Sequence, residues 1–332
     1  MKAWQYNSTS GGLENNLKLN TSAPVPAPSA DQHLVRILGS ALNPVDYKPA
    51  EVWLLSRLAI TKPATPGIDF VGRIVTPAKN TSFQPGDIVF GFGALSPLAG
   101  GCLREYHTVP TIGAVALPKG VDPIDAATVA VAGLTAYQSI VPHVKAGSRL
   151  FINGGSGGTG IFGIQIAKAV GCHVTCSCST ANVELCKSLG ADEVIDYKKG
   201  PVLEQLKKLK PFDHVVDNVA ANHELYWKAH EYTTPSAIFL EVASAPTLSY
   251  AAFSSRAKFQ PGFLGGGKRK FMSIFAETKA DQLEQIGKWM AEGKMRAVID
   301  EKFPFEKAVE AFRKQKTGRA KGKVVVEGPV EA

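Results

Sequence analysis

The stretch RLFINGGSGGTGIFGIQIAKAV, residues 149–170, joins a short apolar run, a turn with five glycines, and a second apolar run with helical spacing. A strand-like HVTCS follows at 173–177. Within the turn, Gly155, Gly157 and Gly160 make G-x-G-x-x-G, a weak signal alone but a specific one between a strand and a helix. Glycines let backbone N–H groups approach a pyrophosphate, the helix N-terminus favours its negative charge, and the last glycine lets helix and strand pack closely. Gly155, Ser156, Gly157, Gly158, Thr159 and Gly160 are therefore candidate dinucleotide-binding residues.

The same turn also reads G-x-S-x-G as Gly154, Ser156 and Gly158, the pattern of a hydrolase nucleophile elbow. Asp217 and then His223 or His230 follow in the chain order a triad would need. Against this rival, an HGGG-type oxyanion segment is missing and Gly160 has no task in it. A P-loop is excluded because no Lys-Ser or Lys-Thr follows the glycines.

About 20 residues past a dinucleotide-binding turn, the tip of the second strand meets the adenosine ribose, and an acid there would hold the 2′-hydroxyl of NAD. Here the tip is Ser177, Cys178, Ser179, Thr180, Ala181 and Asn182. Without a carboxylate to repel a 2′-phosphate, and with hydroxyl and amide donors present, NADPH is favoured over NADH. Asn182 also suits the N-cap of a helix from Val183, so it has a structural role to fill as well.

Outward from the turn, strands and helices alternate. The strands read RLFIN, HVTCS, EVI (193–195), HVVDNV (214–219), AIFLEV (237–242) and KFMSIF (270–275). Helices are expected near 159–170, 183–189, 202–209 and 223–230, after a long apolar helical stretch that follows Asp122. Continuous apolar strands in this alternation predict a doubly wound parallel α/β sheet covered on both faces. Before Asp122, Pro and Gly punctuate short β-type runs at 33–38, 70–75, 87–92 and 103–109, which read as a β-rich domain. Two amphipathic helices (280–290, 305–314) and the strand KVVVE end the chain.

The 332 residues, 45% hydrophobic and 20% charged, suit two domains. No signal peptide and no membrane span is expected, so a cytoplasmic protein is the default, with organellar import left open. Five cysteines, four of them between 172 and 186, do not resemble a disulfide framework, and Cys176 and Cys178 are too close for a usual zinc pair. The net charge of +8 is scattered, and no nucleic-acid-binding signature accompanies it.

Further segments carry a family resemblance: ALNPVDYK (41–48), TPGIDFVGRI (65–74), FQPGDIVFG (83–91), GGCLREY (100–106), AATVAVAGLTAYQ (126–138), SLGADEVIDY (188–197), and in the tail GKMRAVIDEKFPFEKAVEAF (293–312) with GRAKGKVVV (318–326). Along almost its whole length the chain resembles the zinc-independent quinone oxidoreductase-like branch of the medium-chain dehydrogenase/reductase superfamily. The resemblance implies a Rossmann sheet, residues 123–277, inserted in a β-rich GroES-like catalytic domain, residues 1–122 plus 278–332. Zinc-dependent relatives carry a Cys at or near Asn43 and Gly-His-Glu where this chain has Gly67, Ile68 and Asp69, and their four-cysteine lobe is missing here. No metal is expected. The branch typically reduces quinones or the C=C bond of enones, enals or enoyl thioesters.

By the same resemblance Asn43, Asp46, Tyr47 and Lys48 would line the cleft beside the nicotinamide, and Thr135 would lie near its ring or ribose. Ser179, Asn182 and Tyr197 would surround the 2′-phosphate, although relatives often have Lys or Arg where this chain has Ala181. Asn218 and Ala243 would stand at the nicotinamide-side strand tips, and Lys323 would approach the cofactor from the tail. Tyr47 is the candidate proton donor and Lys48 a candidate for stabilising a developing enolate. Bland readings stand beside these: Asp46 can pair with Lys48, and Tyr47 can simply pack. The segment 243–267 reads as a lid or a dimer contact.

Three functions remain on sequence: a free-standing reductase of a small electrophilic acceptor, a trans-acting enoyl reductase serving a biosynthetic complex, and a cofactor-binding protein with little catalysis. A homodimer is the commonest oligomer by symmetry.

Overall fold

The computed structural model describes residues 1–52, 56, 58–94, 101–242 and 248–330, without the side chains of Leu248 and Phe263. The chain divides into two compact units, Met1–Leu134 with Thr278–Ala332, and Thr135–Glu277. Among the described residues no helix is long and apolar enough to cross a membrane.

The first unit carries β1 (Ala3–Gln5), β2 (Lys18–Asn20), β3 (Gln32–Leu42), β4 (Asp69–Thr76), β5 (Ile88–Phe92), β6 (Tyr106–Pro110) and β7 (Ala114–Ala116). The second carries β8 (Arg149–Asn153), β9 (His173–Cys178), β10 (Glu193–Asp196), β11 (Phe212–Asp217), β12 (Thr233–Val242) and β13 (Lys270–Ile274). The tail returns β14 (Ile299–Phe303) and β15 (Lys323–Glu327) to the first unit.

Strand β3 organises the first unit. Its first residues, Gln32 to Arg36, pair antiparallel with β6, and its last, Gly39 to Leu42, pair with β15. Its other edge pairs with β4. The end of β3, the start of β4 and the start of β15 therefore meet at one end of the seven-stranded sheet. The helix Ala280–Ala291 buries Leu283, Ile286, Gly287 and Trp289, the spacing of a one-sided helix.

In the second unit all neighbours in the order β10-β9-β8-β11-β12-β13 pair in parallel. The order reverses between β8 and β11, and such a switch point is where open α/β sheets bind ligands beyond the strand ends. Its central strands β8, β9 and β11 are buried along nearly their whole length, as sheets covered on both faces must be. An aromatic core fixes one face: Tyr226 meets Phe271 edge-on at 5.0 Å and Phe239 at 5.4 Å, and its hydroxyl donates to the Ala257 carbonyl at 3.0 Å.

Several local expectations change. The stretch after Asp122 is two helices, Pro123–Ala126 and Ala130–Ile140, with Asp122 capping the first through Ile124 N and Asp125 N. The segment expected as one helix at 223–230 is a short α-turn, Glu224–Trp227, and a 3-10 turn, Ala229–Glu231. The tail helix begins as a 3-10 turn, Phe305–Lys307, and is α-helical over Ala308–Lys316. The middle of the segment expected as a lid is the helix Leu248–Phe259, and its start, with Ala243, lies outside the described residues.

Candidate functional site

Strand β8 leads into the glycine turn, and the helix Gly158–Ala169 leaves it with Gly157 as N-cap. Each glycine meets a different constraint. Gly154 sits at φ +83°, the left-handed region that glycine adopts without strain. A Cβ on Gly155 would lie 2.8 Å from the Cys176 side chain, and one on Gly160 would lie 2.1 Å from the Gly154 carbonyl oxygen. These two glycines let helix and strands close on each other. At Gly157 the nearest atom to an added Cβ is the Gly154 carbonyl oxygen, 3.6 Å away, and the backbone is ordinary at φ −81°. Gly157 thus borders open space at the start of the helix Gly158–Ala169, whose first-turn N–H groups precede the first intrahelical bond, Ile161 N to Gly157 O at 3.0 Å.

Side chains brace the turn from below. Ser177 Oγ accepts from Gly154 N at 3.0 Å and donates to Asn153 Oδ1 at 2.6 Å. Asn153 Nδ2 donates to Asp217 Oδ1 at 2.8 Å, which also accepts from Val219 N at 2.9 Å and Ala220 N at 3.1 Å. One buried chain of hydrogen bonds thereby ties the tips of β9, β8 and β11. It also ends β11 at Asp217, two residues short of the expected strand. Asn153 was not among the expected site residues, and Asp217 was named only for the hydrolase triad; a polar residue closing each apolar strand run was the available signal. Ser177 was expected at the cofactor, and its hydroxyl is engaged inside the turn.

Asn182 does not cap the helix from Val183, because a 3-10 turn, Thr180–Asn182, precedes that helix and no side-chain cap bond forms. Its amide instead donates to Ser156 Oγ at 2.9 Å. That contact also bears on the hydrolase reading. Among the described residues Ser156 is joined to Asn182, Asp217 to Asn153 and two backbone amides, and His223 stacks on Phe253 at 3.5 Å beside Glu241 at 3.9 Å. His230 lies against Lys268 at 3.4 Å. No serine–histidine–aspartate relay is assembled, so the elbow reading is set aside.

The remaining expected residues of this unit lie as follows. Thr135 is buried in the helix Ala130–Ile140, Asn218 follows β11 and donates its N–H to Asn153 O at 3.2 Å, Ser179 is half-buried, and Tyr197 is exposed past β10.

The first unit holds a second polar cluster, built where β3, β4 and β15 end together. Lys323 is 2% exposed, Asn43 3% and Asp69 0%, so each must find its partners inside the protein. Lys323 Nζ donates to Asn43 Oδ1 and to Asp69 Oδ2, the latter at 3.2 Å. Asn43 Nδ2 donates to Asp69 Oδ2 at 2.9 Å, and Asp69 Oδ1 accepts from Val131 N at 2.8 Å. Burial raises the Asp69 carboxyl above its ordinary range, and Lys323 opposes that shift.

Asp46 completes the cluster. Its Oδ2 accepts from Asn43 N at 2.6 Å. Burial, and then the nearby Asp69 charge, push its carboxyl up to about 8, so it holds a proton at neutral pH. Asp46 is thus bound to the loop backbone instead of pairing with Lys48, which is exposed. Tyr47 is half-buried against the core of this unit, with the Lys316 ammonium 5.4 Å from its ring centroid. Burial raises its hydroxyl further from ionisation, which keeps it a donor.

The cluster does not fit a metal ion. Ile68 offers no ligand, and the Lys323 ammonium, bonded to Asp69 and Asn43, already occupies the place a cation would have to take. Among the described residues no three His, Cys, Asp or Glu side chains converge elsewhere as a metal site, and all five cysteines are free and buried.

Comparison with known proteins agrees with this geometry. Residues 29–119 match the family described as alcohol dehydrogenase GroES-like domain, and 189–326 the family described as zinc-binding dehydrogenase. The chain is 50% identical to the trans-enoyl reductase pgmF of Aspergillus terreus, over 98% of this chain and 96% of that protein. This chain belongs to the medium-chain dehydrogenase/reductase superfamily, in its zinc-independent quinone oxidoreductase-like branch. It is 31% identical to the chloroplast envelope quinone oxidoreductase homolog of Arabidopsis thaliana, over 98% of both chains. The solved quinone oxidoreductase from Coxiella burnetii superposes with a TM-score of 0.86 at 27% identity, covering 98% of this chain and 99% of that one. As a member of this superfamily the chain is a nicotinamide-dependent oxidoreductase.

Proposed function

We propose that this enzyme uses NADPH to reduce quinones or activated C=C bonds in enones, enals or enoyl thioesters. The observation that carries the reading is the glycine turn, closed by Gly155 and Gly160 and open at Gly157, on the switch point of a parallel sheet. In this reading Thr135, Asn218, Ser156 to Gly160, Ser179, Asn182 and Tyr197 contact the dinucleotide, and Asn153, Ser177 and Asp217 hold its turn rigid. When bound, the nicotinamide supplies hydride. Addition of hydride to a conjugated alkene leaves negative charge on the carbonyl oxygen, so a nearby donor and a proton source lower the barrier. Tyr47, held neutral, is the proposed donor, and the Lys48 ammonium the proposed stabiliser of the enolate. Asn43, Asp69 and Lys323 are taken as positioning residues, since their polar atoms already bond one another.

A narrower reading, reduction of enoyl thioesters carried by a biosynthetic partner, is favoured by the 50% identity to a protein named a trans-enoyl reductase. We take the working form to be cytosolic, with a two-fold dimer the first oligomer to look for. The test follows nicotinamide absorbance with NADPH and NADH against quinones, enals, enones, free enoyl thioesters and carrier-bound enoyl thioesters. Turnover of conjugated acceptors supports the reading, and preference for carrier-bound enoyls selects the narrower one. Turnover of none, or alcohol oxidation that requires added zinc, overturns both.

A further inference from the structure

We propose that Lys198, on the turn after β10, supplies the positive charge that recognises the adenosine 2′-phosphate and so sets the preference for NADPH over NADH. The proposal rests on the dinucleotide reading above and adds the residue that decides between the two cofactors.

The tips of β9 and β10 form one surface. Tyr197 N donates to the Cys178 carbonyl at 3.1 Å, and Thr180 Oγ1 donates to Asp196 Oδ2 at 2.7 Å. Asn182 links this surface to the glycine turn through its 2.9 Å bond to Ser156. A dinucleotide whose pyrophosphate lies on the turn has its adenosine ribose on this side of the sheet.

The charge of the surface comes from few residues. Ala181 is exposed and carries none. Asp196 is the one acid in the segments 177–182 and 196–200, and it is turned inward at 6% exposure. Its Oδ2 accepts from Thr180 and its Oδ1 from Lys198 N at 2.9 Å, so both oxygens are turned to donors of the chain itself. The tip of β9, where an acid would select NADH, carries none. Lys198 and Lys199 follow immediately, both exposed.

Of the two lysines, Lys198 has a ring beside it. Its Nζ lies 5.5 Å from the centroid of the Tyr197 ring, itself 48% exposed. Such a contact favours the ring's face of the surface for the side chain without locking it there. A dianionic 2′-phosphate on this face would meet the Lys198 ammonium, the Ser179 hydroxyl and the Asn182 amide, a set of donors without a competing free carboxylate. NADH offers a hydroxyl at the same point and gains nothing from the ammonium.

The test measures equilibrium binding of NADPH, NADH and 2′,5′-ADP to the full chain and to Lys198→Ala, Lys198→Glu and Lys199→Ala, at fixed ionic strength. Wild type is expected to favour NADPH by at least about tenfold, the usual scale of one hydrogen bond to a charged group. Lys198→Ala should weaken NADPH and 2′,5′-ADP by about tenfold and leave NADH within about twofold; Lys198→Glu should weaken them more. Lys199→Ala should have the smaller effect. An unchanged NADPH-to-NADH ratio in Lys198→Ala overturns the proposal, as does an equal loss in Lys199→Ala, which would make the charge diffuse. Wild type that binds NADH alone overturns it while the dinucleotide reading stands. Binding of neither nucleotide overturns that reading too.

Discussion

The glycine turn of the second unit and the buried polar cluster of the first are both built at the ends of strands, yet they are made in opposite ways. The turn is assembled from consecutive residues, 154–160, and works through backbone: what matters is which positions lack a side chain. The cluster gathers residues 43, 46, 69 and 323, and works through side chains that satisfy one another out of water. Substitution should therefore harm the turn by filling space and the cluster by stranding charge.

The largest effect should come from stranding charge. Lys323→Met leaves Asp69 buried without its cation, and removal of one partner of such a pair costs about 3–5 kcal/mol. Urea denaturation is the check, and Lys323→Met with Asp69→Asn should recover much of the loss. If the single variant is as stable as wild type, the cluster is not an interlocked unit.

Asp46 tests the same cluster through pH. Its folded-state carboxyl, raised to about 8, binds a proton that the unfolded chain has released above the ordinary carboxylate range. Stability from this group is therefore full at low pH and is lost as pH rises towards 8. Asp46→Asn should remove that component, so that the wild-type-minus-variant denaturation midpoint falls between about pH 5 and 8. Glu241, raised by burial to about 7, adds a slope of the same sign in both proteins and cancels in the difference. A flat difference would mean Asp46 is ionised.

The turn should break at two different points. Gly157→Asp puts a carboxylate into open space, so the thermal melt should hold while dinucleotide affinity falls by about a hundredfold or more through charge repulsion. Gly160→Ala drives a methyl group into the Gly154 carbonyl and should lower both stability and affinity, the former by about 1–3 kcal/mol. If Gly157→Asp binds nucleotide normally, the pyrophosphate does not lie on this turn. The smallest effect belongs to Asn182→Ala, which removes one part-buried hydrogen bond and should weaken dinucleotide binding by about fivefold, near 1 kcal/mol. Titration of nucleotide fluorescence reads both.

How legible each region was follows from how it is made. The turn, the alternation around it and the strand RLFIN could be read directly, because neighbours in sequence are neighbours in space there. Asn182 was expected at the cofactor and also as a helix cap; the cap does not form, and its amide is a long-range partner of Ser156 26 residues away. Ser177 was expected at the cofactor and braces the turn from within. Asn153 passed unremarked and Asp217 was named only for a hydrolase triad, since each gains its hydrogen-bond partners from a strand that is distant in sequence.

What the sequence determined by itself is the glycine turn and the class of sheet that carries it, since glycine spacing and hydrophobic periodicity are local properties of the chain. Tertiary structure alone decided which polar residues carry one another. Asn43, Asp69 and Lys323 meet because β3 pairs on one edge with β4 and on the other with β15. Burial then does the rest: with water removed, an ammonium, an amide and a carboxylate hold only in the company that strand register provides.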